Sequence, residues 1–240
     1  MIRFDHVSKA FGDKKAVDDL TLTIEDGKVF GFIGPNGAGK TTTIKMLTGI
    51  LAPDSGSITL NGVDIVTEPM KAKRMFGYVP DSFDMYERLT GMEYLRFMGD
   101  IYGVDVARRK AHIDRYLEQF DLADAANQQI RSYSHGMKQK LAITGALMHE
   151  PSIWILDEPM VGLDPQSVFM LKEEMRRHAD GARTVFFSTH VLDVAERLCD
   201  EIGIISKGRL IANGTLDELR HGDVDSTLEE LFLELVEKEA

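Results

Sequence analysis

The sequence predicts an α/β fold, a mainly parallel sheet with a helical lobe inserted between its strands. Three observations carry that expectation. Continuous apolar runs at Val29–Ile33, Ile153–Leu156, Thr184–Phe187 and Ile202–Ile205 read as buried strands. Polar helical segments separate the last three, as crossover helices do in a parallel sheet. From about Phe83 to Glu150, charged and apolar residues mix at helical spacing with few strand signals.

The N-terminal part reads as short strands with turns. Leu20–Ile24 and Ser57–Leu60 alternate apolar and polar residues, the mark of half-buried strands. The buried strand Val29–Ile33 then runs straight into Gly34-Pro35-Asn36-Gly37-Ala38-Gly39-Lys40-Thr41, which fits G-x-x-x-x-G-K-[ST]. Glycines at these places let backbone N–H groups converge on a β-phosphate with no Cβ in the way. A helix starting near Lys40 adds the positive end of its dipole. Lys40 reaches the β- and γ-phosphates, and the Thr41 hydroxyl ligates Mg²⁺. The pattern predicts a phosphate-loop NTPase core that binds Mg–ATP.

The run Ile153–Leu156 ends in Asp157-Glu158. An acid at the carboxyl end of a parallel strand sits at the ligand edge of such a sheet. Next to a phosphate loop, Asp157 is placed to hold Mg²⁺ opposite Thr41, and Glu158 to polarise the attacking water. At the far end of the chain, Leu228, Leu231, Phe232, Leu235 and Val236 share one helical face, and Ser226 with Glu229 fits a capping box. That face reads as docked on its own domain, with a dimer or partner contact as the alternative.

The chain has 240 residues and a net charge of −11, a poor balance for neutralising nucleic-acid phosphates, so no nucleic acid is expected. Cys199 is the single cysteine, and one thiol closes no internal disulfide. The N-terminus carries no signal-peptide pattern, and no stretch approaches the roughly 20 apolar residues that span a bilayer. The expected location is cytoplasmic, with any membrane link made through a partner.

Taken together, these motifs resemble the nucleotide-binding subunit of ATP-binding cassette (ABC) transporters. Gly34 to Thr42 resembles that family's Walker A loop, and Trp154–Pro159 its Walker B strand with the catalytic Glu. Ser134-His135-Gly136-Met137-Lys138-Gln139 resembles its signature, Gly162–Pro165 its D-loop, and Ser188-Thr189-His190 its switch histidine. Phe11 stands where the family carries an aromatic that stacks on adenine. The resemblance implies an N-terminal antiparallel β subdomain and a core of residues 1–82 and 151–215. It also implies a helical signature lobe at 83–150 and a helical tail at 216–240. It implies nucleotide contacts from Phe11, Gly34, Pro35, Asn36, Gly37, Ala38, Gly39, Lys40, Thr41 and Thr42. Ser134 and Gly136 would bind the γ-phosphate of ATP held by a second cassette in a head-to-tail dimer, homo- or heteromeric, with Asp164 signalling across it. Lys40, Glu158 and His190 would carry catalysis, and Thr41, Asp157 and Asp81 the metal. Two positions depart from the pattern: His135 replaces a Gly, and Asp81, in a loop Gly77–Asp81, replaces a Gln that serves Mg²⁺ or the water.

The implied function is the ATP-hydrolysing subunit of a transporter working through an integral membrane permease. The ending Ser226–Phe232 and the Ser-His-Gly-Met-Lys-Gln signature resemble cassettes of export-type systems. Phe83, Met85, Tyr86 and Leu89 are the expected permease contacts, as an apolar patch near a lobe boundary. A soluble ABC ATPase remodelling DNA or ribosomes is the runner-up, though such proteins usually carry two cassettes or a long coiled coil. A regulatory cassette without turnover is the second alternative, opposed by Glu158 and His190. No Asn-Lys-x-Asp guanine-reading motif is present.

Overall fold

A computed structural model of the chain describes residues 1–82, 84–220 and 226–238; the expected permease contact Phe83 lies outside them. The N-terminal stretch alternates burial, with Ile2, Phe4 and Val7 inward, and forms β1 (Ile2–Phe11). β2 (Lys14–Ile24) follows by a tight turn, and its Leu20–Ile24 segment points Leu20, Leu22 and Ile24 to the core as the alternation predicts. β3 (Val29–Ile33), buried throughout, leads into α1 (Lys40–Leu47). Next come β4 (Ser55–Leu60), β5 (Val63–Asp64), α2 (Pro69–Lys73) and β6 (Phe76–Val79). The helical insertion holds α3 (Gly91–Ile101), α4 (Val106–Gln119) and α5 (His135–Leu147). Then β7 (Ile153–Asp157), α6 (Pro165–Asp180), β8 (Thr184–Thr189), α7 (Leu192–Leu198) and β9 (Glu201–Ser206) alternate, as the apolar runs predict. β10 (Arg209–Gly214), α8 (Leu216–Leu219) and α9 (Leu228–Lys238) end the described chain.

Two sheets result. One is antiparallel throughout, in the order β2-β1-β4-β5. The other runs β10-β9-β3-β8-β7-β6 and is parallel except for β10, which pairs antiparallel with β9. The register sets the site. Ile33 pairs with Thr189 and Asp157 with Ser188, so β3, β7 and β8 end together at one edge.

α3, α4 and α5 begin on side-chain caps. Thr90 and Glu93 form a capping box, Asp105 accepts from Ala107 and Arg108 N–H, and Ser134 accepts from Met137 N–H. The lobe packs on the sheet through one core that joins Leu95, Ile113, Leu117 and Leu141 to Trp154, Leu171 and Met175. Buried Glu174 of α6 accepts from Gln119 Nε2 (2.7 Å) on α4, a polar tie between lobe and core.

Two readings of the sequence are corrected. Gly77, Tyr78 and Val79 belong to strand β6 rather than to a loop; only Pro80 and Asp81 leave it. The strand is four residues long and contains a glycine, so it gives little period-2 signal. Gly77 is needed there because a Cβ would lie 2.2 Å from the Ala146 carbonyl of α5. The C-terminal capping box is formed by Thr227 and Glu230, one residue later than Ser226 and Glu229, because α9 starts at Leu228. The apolar face of α9 does dock on its own domain. Leu228 is fully buried, and Leu231, Phe232 and Leu235 pack on a cluster with Ile33, Ala195, Ile202 and Ile204. No helix among the described residues is long and apolar enough to cross a membrane.

Candidate active site

The loop between β3 and α1 is shaped by close backbone approaches. Gly39 takes φ 114°, and a Cβ on it would lie 2.4 Å from the Ala16 carbonyl. A Cβ on Gly34 would meet the Ile205 carbonyl at 2.3 Å. Gly39 is also the N-cap of α1, so no side chain caps the helix, and its first turn holds no acid. The first N–H groups of α1 are thus left for an anion. Lys40 is almost wholly buried; its Nζ donates to the Gly34 carbonyl at 2.7 Å and lies 3.4 Å from that of Pro35.

The carboxylates sit beside this loop. Asp157 closes β7 and is buried. Its Oδ1 accepts from Ser188 Oγ at 2.5 Å, and the Thr41 side chain stands beside the same carboxyl group. Its Oδ2 is buried with no hydrogen-bond partner among the described residues. Burial raises the Asp157 carboxyl above its usual range, the Asp81 and Glu158 charges push the same way, and the bonds from Ser188 and Thr41 oppose them. An orphaned carboxylate oxygen beside a threonine hydroxyl fits a hard cation that prefers oxygen ligands. Among the described residues no group of three or more His, Cys, Asp or Glu side chains could hold a metal. Such an ion would be completed by phosphate and water, as Mg²⁺ is in nucleotide sites.

Glu158 follows with φ 47°, a conformation its backbone holds while its N–H donates to Ser188 Oγ at 3.0 Å. One serine hydroxyl therefore fixes both acids. The Glu158 carboxylate lies between two nitrogens: His190 Nδ1 donates to Oε2 at 2.9 Å, and Lys40 Nζ stands 3.5 Å from Oε1.

Above them is a cleft of about 360 Å³. Phe11, Lys14 and Ala16 make one wall; Asn36, Gly37, Gly39, Lys40, Thr41 and Thr42 form the floor; Asp81 and Glu158 stand at the far side. Phe11 is 54% exposed at the end of β1, free to present its ring to a ligand rather than to the core. Asp81 also accepts from Ser82 N–H at 2.7 Å, so it both faces the cleft and caps its own turn.

Not every expected residue lines this cleft. Pro35 and Ala38 shape the loop from within, Ala38 N–H donating to the Pro35 carbonyl at 3.1 Å. Ser134 and Gly136 lie at the start of α5, and Asp164 caps α6 by accepting from Ser167 N–H at 3.0 Å. Of the expected permease contacts, Met85 and Leu89 pack on the helical-lobe core, whereas Tyr86 is 63% exposed. Sequence reasoning missed Lys14 and Ala16, and the bonds that Ser188 makes to Asp157 and Glu158. The signal for Ser188 was a polar residue following the apolar run Val185–Phe187 near the end of its strand; the wall residues had none, because a β-hairpin brings them in.

The family follows from comparison. Residues 17–161 match the ABC transporter family. The chain belongs to that family. The linearmycin resistance ATP-binding protein LnrL of Bacillus subtilis is 40% identical over 91% of this chain and 70% of its own length. The ABC transporter ATP-binding protein NatA of the same organism is 36% identical over 97% of both. A solved ATP-binding subunit of an ABC transporter superimposes with TM-score 0.94 at 35% identity, covering 98% of this chain and 99% of that one. A dimeric bacterial ABC transporter cassette has TM-score 0.82 at 23% identity, covering 90% of this chain and 99% of its own, and shares the fold. This ABC transporter cassette is an ATP-binding subunit and an ATPase.

Proposed function

We propose that this cassette hydrolyses Mg–ATP to drive export through a separate integral membrane permease, on the cytoplasmic face of the membrane. The observation that carries it is a cleft lined by Lys40, Thr41 and Glu158 over an uncapped helix N-terminus, with His190 bonded to Glu158 and Asp157 beside Thr41. Phe11 stacks on adenine. The loop N–H groups and Lys40 take the phosphates, Lys40 turning from the Gly34 carbonyl to do so. Thr41 and Asp157 would hold Mg²⁺, which would supply neutralisation of the charge developing on the phosphates. Glu158 orients and deprotonates the attacking water, and His190 faces the γ-phosphate.

Export is supported by the names of relatives: daunorubicin resistance protein DrrA3 of Streptomyces coeruleorubidus (39% identical over 91% of this chain and 69% of its own length) and Nod factor export protein I of Paraburkholderia xenovorans (37% over 96% and 76%). Ser134, Gly136 and Asp164 lie outside the cleft of their own chain, as residues that complete a partner's site do. The helical lobe at 83–150 passes the resulting motion to the permease. The test mixes a Lys40→Ala chain with a Ser134→Arg chain. Recovery of part of the ATPase in mixed dimers supports shared sites; full activity of each variant alone overturns them.

A further inference from the structure

Helix α5 runs alongside the segment that carries Glu158. At its first turn a Cβ on Gly136 would lie 3.3 Å from the Gly162 carbonyl, and a Cβ on Gly162 would lie 2.6 Å from the His135 ring. One turn on, Gln139 is 4% exposed, and its Nε2 donates to the Pro159 carbonyl at 2.5 Å. Lys140 Nζ then lies 4.0 Å from Asp164. The orientation of the Gln139 amide is fixed by chemistry, because a carbonyl accepts and only the NH₂ end can donate. Its Oε1 is therefore turned to a place where, among the described residues, nothing donates to it.

A buried amide with an unpaired oxygen is destabilising, a cost that an apolar side chain of the same shape avoids. What the amide secures is the Pro159 carbonyl, one peptide beyond Glu158. Glu158 itself has φ 47°, so its carboxylate direction depends on how the next peptide is held. Gln139 reaches neither the cleft nor the expected nucleotide. From this geometry we infer that Gln139 is a positioning residue for Glu158, acting through the Pro159 carbonyl, so that the placement of α5 sets the aim of the reactive carboxylate. The inference rests on the proposed role of Glu158.

The test compares Gln139→Met, which keeps the volume and removes the donor, with Gln139→Glu. An ionised Glu cannot donate to Pro159, whereas a protonated one can, and burial raises a carboxyl's pKa. The expected result for Gln139→Met is unchanged ATP affinity with kcat down roughly tenfold, one lost charge-directing contact on the scale of 1.4 kcal/mol. For Gln139→Glu, kcat relative to wild type should rise as pH falls from 8 toward 6, while Gln139→Met stays flat. Wild-type kcat in Gln139→Met, or a flat ratio for Gln139→Glu, overturns the inference. Loss of ATP binding together with kcat assigns Gln139 to packing alone and overturns it too. Glu158→Gln is run beside them: if it turns over normally, the reading of Glu158 fails first, independently of Gln139.

Discussion

Lys40 Nζ stands 3.5 Å from Glu158 Oε1 while donating to the Gly34 carbonyl at 2.7 Å, so one ammonium group spans the phosphate loop and the carboxylate beside it. The charges attract in a largely buried setting, where such contacts are stronger than in water. On the proposed function, ATP phosphates would compete for the same ammonium and so free Glu158 for water.

Two substitutions separate these roles. Lys40→Ala should abolish ATP binding. Glu158→Gln should keep binding, accumulate a closed dimer on ATP, and lower kcat by roughly 10²–10⁴-fold, the usual worth of a positioned base. Equilibrium binding, gel filtration with and without ATP, and single-turnover hydrolysis read the difference.

Phe11→Ala should weaken ATP binding about tenfold, since stacking of a base on an aromatic ring contributes roughly 1–3 kcal/mol. The ring is exposed beside the cleft, so stability should barely change. At saturating ATP, kcat should stay close to wild type. A matching loss of melting temperature would mark Phe11 as a packing residue instead.

These residues were legible in the sequence to different degrees, for physical reasons. The loop from Gly34 to Thr41 announces itself because its geometry tolerates few residue types, and β3, β7, β8 and β9 because strands buried on both faces leave unbroken apolar runs. β6 was hidden by its length and by Gly77, whose reason is a helix passing 2.2 Å from where its Cβ would be. The grip of Ser188 on both Asp157 and Glu158 was hidden because it depends on register between β7 and β8, which spacing along the chain does not reveal. Helix α9 was correctly placed but begun one residue early, because Ser226 and Thr227 are both good caps with a Glu three residues on.

Acid should unfold the cassette through two buried imidazoles. Burial pushes His149 down to about 4, against its bond to the Phe76 carbonyl, and burial with the Arg183 charge pushes His178 down to about 4. An unfolded histidine titrates near 6.5, so below that pH the unfolded chain binds protons that the folded chain refuses. Stability is thus fully present above about pH 6.5 and is lost as pH falls toward 4, by about 2 kcal/mol per imidazole at pH 5. Urea unfolding at pH 7 and pH 5 should show the loss, and a His149→Gln, His178→Leu double variant should show much less of it.

Tyr86 is the test of the permease contact. It is exposed, meets Phe97 edge-on at 5.6 Å between ring centroids, and shares a groove with Met98 and Ile101. Tyr86→Glu should leave ATP affinity and folding intact while lowering export in cells that carry the whole system, by an order of magnitude or more if this ring is an interface anchor. Equal transport by the variant removes Tyr86 from the contact.

Asp81 poses a sharper question, since its carboxylate both faces the cleft and caps its own turn through Ser82 N–H. Near a divalent ion its charge is favourable, because hard cations prefer carboxylate oxygens. Near the γ-phosphate it is unfavourable by like-charge repulsion. Burial is the main cause that raises the Asp157 carboxyl, and the Asp81 charge adds to it. A bound cation relieves that repulsion, so metal binding and the Asp81 charge are coupled. Asp81→Asn keeps an oxygen that can accept from Ser82 and removes the charge; Asp81→Ala removes both. If Asp81 senses Mg–ATP, both variants need more Mg²⁺ than wild type for half-maximal ATPase, Ala more than Asn. If it is a turn cap only, Asn matches wild type at every Mg²⁺ concentration and Ala loses thermal stability by about 1 kcal/mol, the usual worth of such a cap. ATPase titrated against Mg²⁺, beside thermal melts of the three proteins, tells the two apart.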